Sequence, residues 1–107
     1  MRGGTIAKRY ARACHELGVE TKKGRLLQKQ LRAFADLYAK TPVLQTALLN
    51  PSIELDQRRN VLVAFGRKMM WDGLMTSFVR LLLDKDRIRF IEDIADAFDD
   101  LADQHAG

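Results

Sequence analysis

A chain of 107 residues is long enough to bury one hydrophobic core and too short for two. Its 47% hydrophobic and 30% charged residues exclude the disordered class, and no apolar run reaches the roughly 18 to 20 residues of a membrane span. The net charge of +4 conceals a dipole: residues 1–53 carry ten Lys or Arg against Glu16, Glu20 and Asp36, giving +7, whereas residues 54–107 carry eight basic against eleven acidic residues, giving −3.

Nothing after Met1 and Arg2 forms the apolar core of a signal peptide, so the chain is expected to work in the cytoplasm. Ile6 to Val19 reads as the first helix, with Thr5 as N-cap and a large apolar stripe of Ile6, Tyr10, Ala13 and Leu17. Beside the stripe runs a row of small residues, Ala7, Ala11, Cys14 and Gly18. Such a row lets a second helix come close, whether it is this chain's own neighbour or a foreign one.

A second helix follows Gly24 and runs to about Lys40 on a seam of Leu27, Leu31, Phe34 and Tyr38. Thr41-Pro42 opens a short third helix through Val43, Leu44, Ala47 and Leu48, and Asn50-Pro51 stops it. The fourth starts near Glu54 or Leu55, places Leu55, Leu62 and Phe65 in the core, and is predicted to end at Gly66 in a left-handed cap. Asp72 is positioned to cap the fifth, Gly73 to Lys85, and Asp86 to take a left-handed conformation in the turn that follows.

The sixth helix, from about Arg87 to Gln104, sets Ile91, Ile94, Ala95, Phe98, Leu101 and Ala102 against an opposite face of Asp and Glu. That acidic face fits a solvated surface or a place beside the basic first and second helices. No stretch alternates apolar and polar residues long enough to argue for a strand. The fold class is therefore all-α, a six-helix bundle with short connections.

Catalytic chemistry finds no support in this pattern. His15 and His105 lack metal-ligand spacing, Cys14 is the only cysteine, and Arg2-Gly3-Gly4, Gly66 and Gly73 do not make a phosphate loop. The chain is read as a non-enzyme with no cofactor and no metal.

The fifth helix is the exception to ordinary amphipathic design. Leu74, Met75, Phe78, Val79, Leu81, Leu82 and Leu83 cover roughly 200° of its circumference, where one buried face needs nearer 100°. Either the helix is wrapped on most sides or it serves the core with one face and a partner with another.

Three segments carry a family resemblance. Thr-Ile-Ala-Lys-Arg-Tyr-Ala-Arg-Ala at 5–13, Leu-Leu-Asn-Pro at 48–51 and Phe-Val-Arg-Leu-Leu-Leu-Asp-Lys-Asp-Arg-Ile at 78–88 resemble, in order and spacing, the N-terminal domain of the delta-subunit family of bacterial F-type ATP synthases. That family is the counterpart of the mitochondrial oligomycin sensitivity-conferring protein. The resemblance implies a stator component at the top of the peripheral stalk, on the cytoplasmic side of the bacterial inner membrane, that keeps the catalytic head from turning with the rotor.

It also implies a groove between the first and fifth helices for the amphipathic N-terminal helix of an alpha subunit. The matching positions are Ala7, Tyr10, Ala11 and Cys14 on one wall and Ser77, Phe78, Leu81 and Leu82 on the other.

Departures from the family pattern fall at Cys14-His15, at Asp86 in place of a glycine, and at the end of the chain. Residues 1–107 are expected to form a single helical domain, stopping before the second domain through which the family meets the b subunits. The implied partners are thus an alpha subunit and, through that absent domain, the b subunits, with no nucleic acid and no membrane insertion. Two alternatives follow from the residues themselves: a basic helical nucleic-acid-binding domain, supported by Lys22, Lys23, Arg25, Lys29 and Arg32, and a self-associating adaptor bundle.

Overall fold

Six helices account for most of the chain in a computed structural model, which describes residues 4–106, with side chains as far as Gln104. They are α1 (Gly4–Thr21), α2 (Gly24–Lys40), α3 (Pro42–Leu49), α4 (Leu55–Lys68), α5 (Gly73–Asp84) and α6 (Ile91–Ala106), with one 3₁₀ turn at Ile88–Phe90. Among the described residues there is no strand, and the expected all-α bundle is what forms. Arg2, Gly3 and the His105 side chain lie outside the described residues.

The seam read from the sequence of α2 explains why this helix, and not α5, is central. Leu27, Leu31, Phe34, Ala35 and Tyr38 are all buried, and α2 packs on α1, α3, α5 and α6. On α6, Ile91, Ile94, Ala95 and Phe98 close the core from the other side, with Leu101 and Ala102 half-buried against it. α3 contributes Leu44 and Leu48 while Val43 points to solvent, and α4 contributes Leu62 with Leu55 and Phe65 packed at the margin.

The first helix turns its small side chains inward. Its small row, Ala7, Ala11, Cys14 and Gly18, is buried, while Ile6, Tyr10 and Leu17 are only half-buried and Ala13 is exposed. Close packing rewards short inter-axial distance, and only the small row lets α1 lie tightly against α6 and α2. The row's expected role as a site of close approach is realised, with the chain's own helices as occupants.

Two expected caps are placed differently, and a third keeps its position without its side-chain bond. Thr5 lies inside α1, which begins at Gly4. Thr41 precedes Pro42 at the start of α3, but its side chain makes no capping hydrogen bond. Gly66 does not end α4, which continues to Lys68.

The actual stops share one geometry. Lys22, Met70 and Asp86 have φ of 60°, 59° and 58°. After each, the chain donates back to the carbonyl five residues before: Lys23 to Gly18 (2.9 Å), Trp71 to Gly66 (2.9 Å) and Arg87 to Leu82 (2.8 Å). These are Schellman caps with a non-glycine residue in the left-handed position, so the expectation for Asp86 holds.

Gly66 is needed for space instead of for its torsion angles. A Cβ there would stand 2.6 Å from the Trp71 ring, which packs edge-on against Phe34 and Phe65 with centroids 5.1 and 5.6 Å away. The Trp71 indole N–H is buried and finds no acceptor among the described residues, a cost that the three-ring cluster offsets.

Candidate partner-binding surface

Asp72 fixes the start of α5. Its Oδ1 accepts from the Leu74 N–H at 2.9 Å, its Oδ2 meets Lys23 Nζ at 2.9 Å, and its own N–H donates to Gln30 Oε1 at 3.0 Å. The Lys23 ammonium first, and the Leu74 N–H second, hold this carboxyl below the usual carboxylate range. The other end of α5 is tied to α4 by Arg59, which donates to Asp84 at 2.8 Å. α5 is thus rigidly set on α4 and α2.

That setting buries Met75, Phe78, Val79, Leu82 and Leu83. On the flank next to Phe78, at helical spacing, Leu74 is half-buried, Ser77 is exposed and Leu81 is 43% exposed. The wide apolar arc is therefore divided, with most of it spent on the core and a ledge of two leucines left outside.

α1 carries a corresponding ledge. His15, on one flank of the small row, packs edge-on against Phe98 of α6 with centroids 5.4 Å apart. Ile6, Tyr10 and Leu17 lie about 100° around the helix from the small row, on the opposite flank, and stay half-exposed.

Of the residues expected to line a groove, Tyr10, Ser77 and Leu81 thus present surface, and Phe78 stands at the border of the core. Ala7, Ala11, Cys14 and Leu82 lie beneath, in the core itself. α1 and α5 both pack on α2 and are not closely packed on one another. Half-buried Ile6 and Leu17 belong to the α1 ledge and, unlike Tyr10, are not among the residues expected from sequence. The signal that finds them is the pairing of a small row with a large stripe, of which only the small row can go inward.

Burial has a chemical consequence at Cys14: desolvation pushes its thiol up to about 12, which leaves it a small hydrophobe and not a nucleophile. The acidic face of α6 is partly engaged. Arg32 of α2 meets Asp99 at 2.7 Å, Asp96 at 2.8 Å and Asp36 at 3.5 Å, and Gln28 donates to Asp99 at 2.9 Å. Burial alone would lower the Arg32 pKa, and the hydrogen bonds to Asp96 and Asp99 reverse this and raise it. With Arg32 and Lys23 paired internally, the basic patch that suggested nucleic acid is depleted by two of its five members.

Among the described residues no group of His, Cys, Asp and Glu is arranged to hold a metal ion, and no helix is long and apolar enough to cross a membrane.

Comparison with known proteins gives a consistent match. A model of the family described as ATP synthase delta (OSCP) subunit matches residues 6–107. Similar proteins named ATP synthase subunit delta include those of Pelobacter propionicus (33% identical over the whole chain and 59% of the relative) and Myxococcus xanthus (35%, over 96% of this chain and 58% of the relative). That of Desulfotalea psychrophila is 33% identical over 96% of this chain and 57% of the relative. The chain spans about three fifths of the length of these curated relatives.

Proposed function

Because the chain belongs to the ATP synthase delta (OSCP) subunit family, we propose that it is a non-catalytic part of the peripheral stalk, holding the N-terminal helix of an alpha subunit along α1 and α5. In that role it anchors the catalytic head against rotation, on the cytoplasmic side of the bacterial inner membrane. The b subunits are the other partners expected of this stalk role.

The observation that carries the reading is the ledge of exposed Leu81 and half-buried Leu74 beside Phe78, on a helix fixed at both ends. The half-exposed Ile6, Tyr10 and Leu17 on the flank of α1 away from His15 and Phe98 support it. The buried small row is the floor on which α1 is seated, and the larger side chains beside it supply the contact. Tyr10 offers a wide apolar ring with a polar tip, which suits the rim of such a contact.

Three or four apolar anchors at about 1.5–3 kcal/mol each stand against an association cost on the order of 4–15 kcal/mol, so moderate affinity is expected. The test is a calorimetric titration of an alpha-subunit N-terminal peptide into the protein and into Leu81→Asp, with circular dichroism confirming that the variant is folded. Leu81 is exposed enough for the substitution to spare the core, and affinity is expected to fall at least about tenfold, or about 1.4 kcal/mol. Equal binding by the two proteins removes α5 from the site.

A further inference from the structure

We propose that the cleft between the α1–α2 turn and the C-terminal half of α6 is a second docking site, for an acidic amphipathic segment of another polypeptide. The cleft has a volume of about 680 Å³ and shares no residue with the α1/α5 surface. Its floor is apolar: Phe98 is buried, Ala102 is half-buried, and Val19 and Leu26 on its walls are 47% and 39% exposed. Two large aliphatic side chains left in water on facing elements are what an incoming apolar residue would cover.

The charge around this floor selects the partner. Lys22 and Arg25 stand on the rim, and neither has a carboxylate partner among the described residues, in contrast to Lys23, which is held by Asp72. One acidic residue, Asp103, faces them from α6. The potential at the turn is therefore positive on the side of α1 and α2.

The N-terminus of α2 opens at the same place. Lys23 occupies the N-cap without a side-chain hydrogen bond, and the first turn of this 17-residue helix contains no acidic residue. A carboxylate brought by the partner would meet two cations and the free N–H groups of that turn, while an adjacent leucine-sized side chain entered the cleft against Phe98. An extended polyanion such as a nucleic acid would satisfy the cations but leave the apolar walls uncovered.

The test uses the ¹⁵N-labelled chain and a designed helical peptide of about 16 residues, with two leucines one turn apart flanked by glutamates, beside a copy with lysine in place of each glutamate. Saturable amide shifts are expected at Val19, Lys22, Arg25, Leu26, Phe98 and Ala102, weakening with added salt. The lysine copy is expected to bind at least about tenfold more weakly. Leu26→Glu and Arg25→Glu alter exposed positions, and each is expected to abolish the shifts while the rest of the spectrum is retained.

Equal affinity for both peptides, shifts centred elsewhere, or no saturable shift at these amides overturns the proposal. So does tighter binding of a single-stranded oligonucleotide to the same residues.

Discussion

Gly18 on α1 and Gly24 at the start of α2 meet backbone to backbone: a methyl group added to Gly18 would stand 2.8 Å from the Gly24 Cα. No side chain rotation can relieve that contact. The Lys23 N–H to Gly18 carbonyl bond ties the two helices at the same point. Gly18→Ala gains up to about 1 kcal/mol of helix propensity but overpacks the crossing by about 1–3 kcal/mol, so a net loss of about 1 kcal/mol is expected in urea denaturation. A more stable variant would mean that α1 and α2 are not in contact there.

Met70 pays the opposite kind of penalty. It is exposed, and its φ of 59° places an unbranched but β-carbon-bearing residue in a conformation that favours glycine. Met70→Gly relieves roughly 1 kcal/mol of backbone strain and returns part of it as unfolded-chain entropy, for an expected net gain of about 0.5 kcal/mol. A rise in thermal midpoint measures it, and the Trp71 fluorescence should be unchanged because Met70 is exposed while the indole is held by Phe34 and Phe65.

Arg32 joins α2 to α6 through Asp96 and Asp99, and only a third of its side chain reaches water. Arg32→Met keeps the aliphatic stem and removes the charge, leaving the two carboxylates close together without a counter-ion. A loss of about 1–2 kcal/mol is expected, above that of a single exposed pair because three carboxylates share one guanidinium. The deficit should shrink in high salt, and a double-mutant cycle with Asp99→Asn should show strong coupling.

How far the fold could be read in advance depended on the scale of the signal. Helices with a one-sided seam were legible: Leu27, Leu31, Phe34 and Tyr38 on α2, and Ile91, Ile94, Ala95 and Phe98 on α6, are buried as their spacing requires. Helix ends were less so. A Schellman cap is stabilised by backbone hydrogen bonds that any residue can accommodate at some strain, so Lys22 and Met70 left no compositional trace, while Gly66 reads as a cap and in fact makes room for the Trp71 ring. The candidate surface was legible as an excess, since the arc of α5 is wider than one core face. Which part of it stays outside depends on tertiary packing: Leu81 remains exposed and Leu82 is buried, one residue apart. The same applies to α1, where a large stripe and a small row stood side by side in the sequence and packing distance assigned the core to Ala7, Ala11 and Cys14.

The cap of α5 supplies a pH-dependent contribution whose sign follows from its partners. Asp72 is held in the charged form by Lys23 Nζ at 2.9 Å and by the Leu74 N–H at 2.9 Å, so its folded pKa lies below that of the unfolded chain, near 3.9. A depressed carboxyl stabilises the fold above the unfolded value, and that contribution is lost as pH falls through the folded one. Asp72→Asn preserves an N-cap acceptor and removes the charge, whereas Asp72→Ala removes both. At pH 7 the Asn variant is expected to melt slightly below the wild type, and the Ala variant several degrees lower still. The gap between wild type and Asn should narrow as the pH falls below the unfolded value and through the lower folded one, where Asp72 takes up its proton. Equal melting of wild type and the Asn variant at pH 7 would show that the Lys23–Asp72 ion pair adds nothing to the cap.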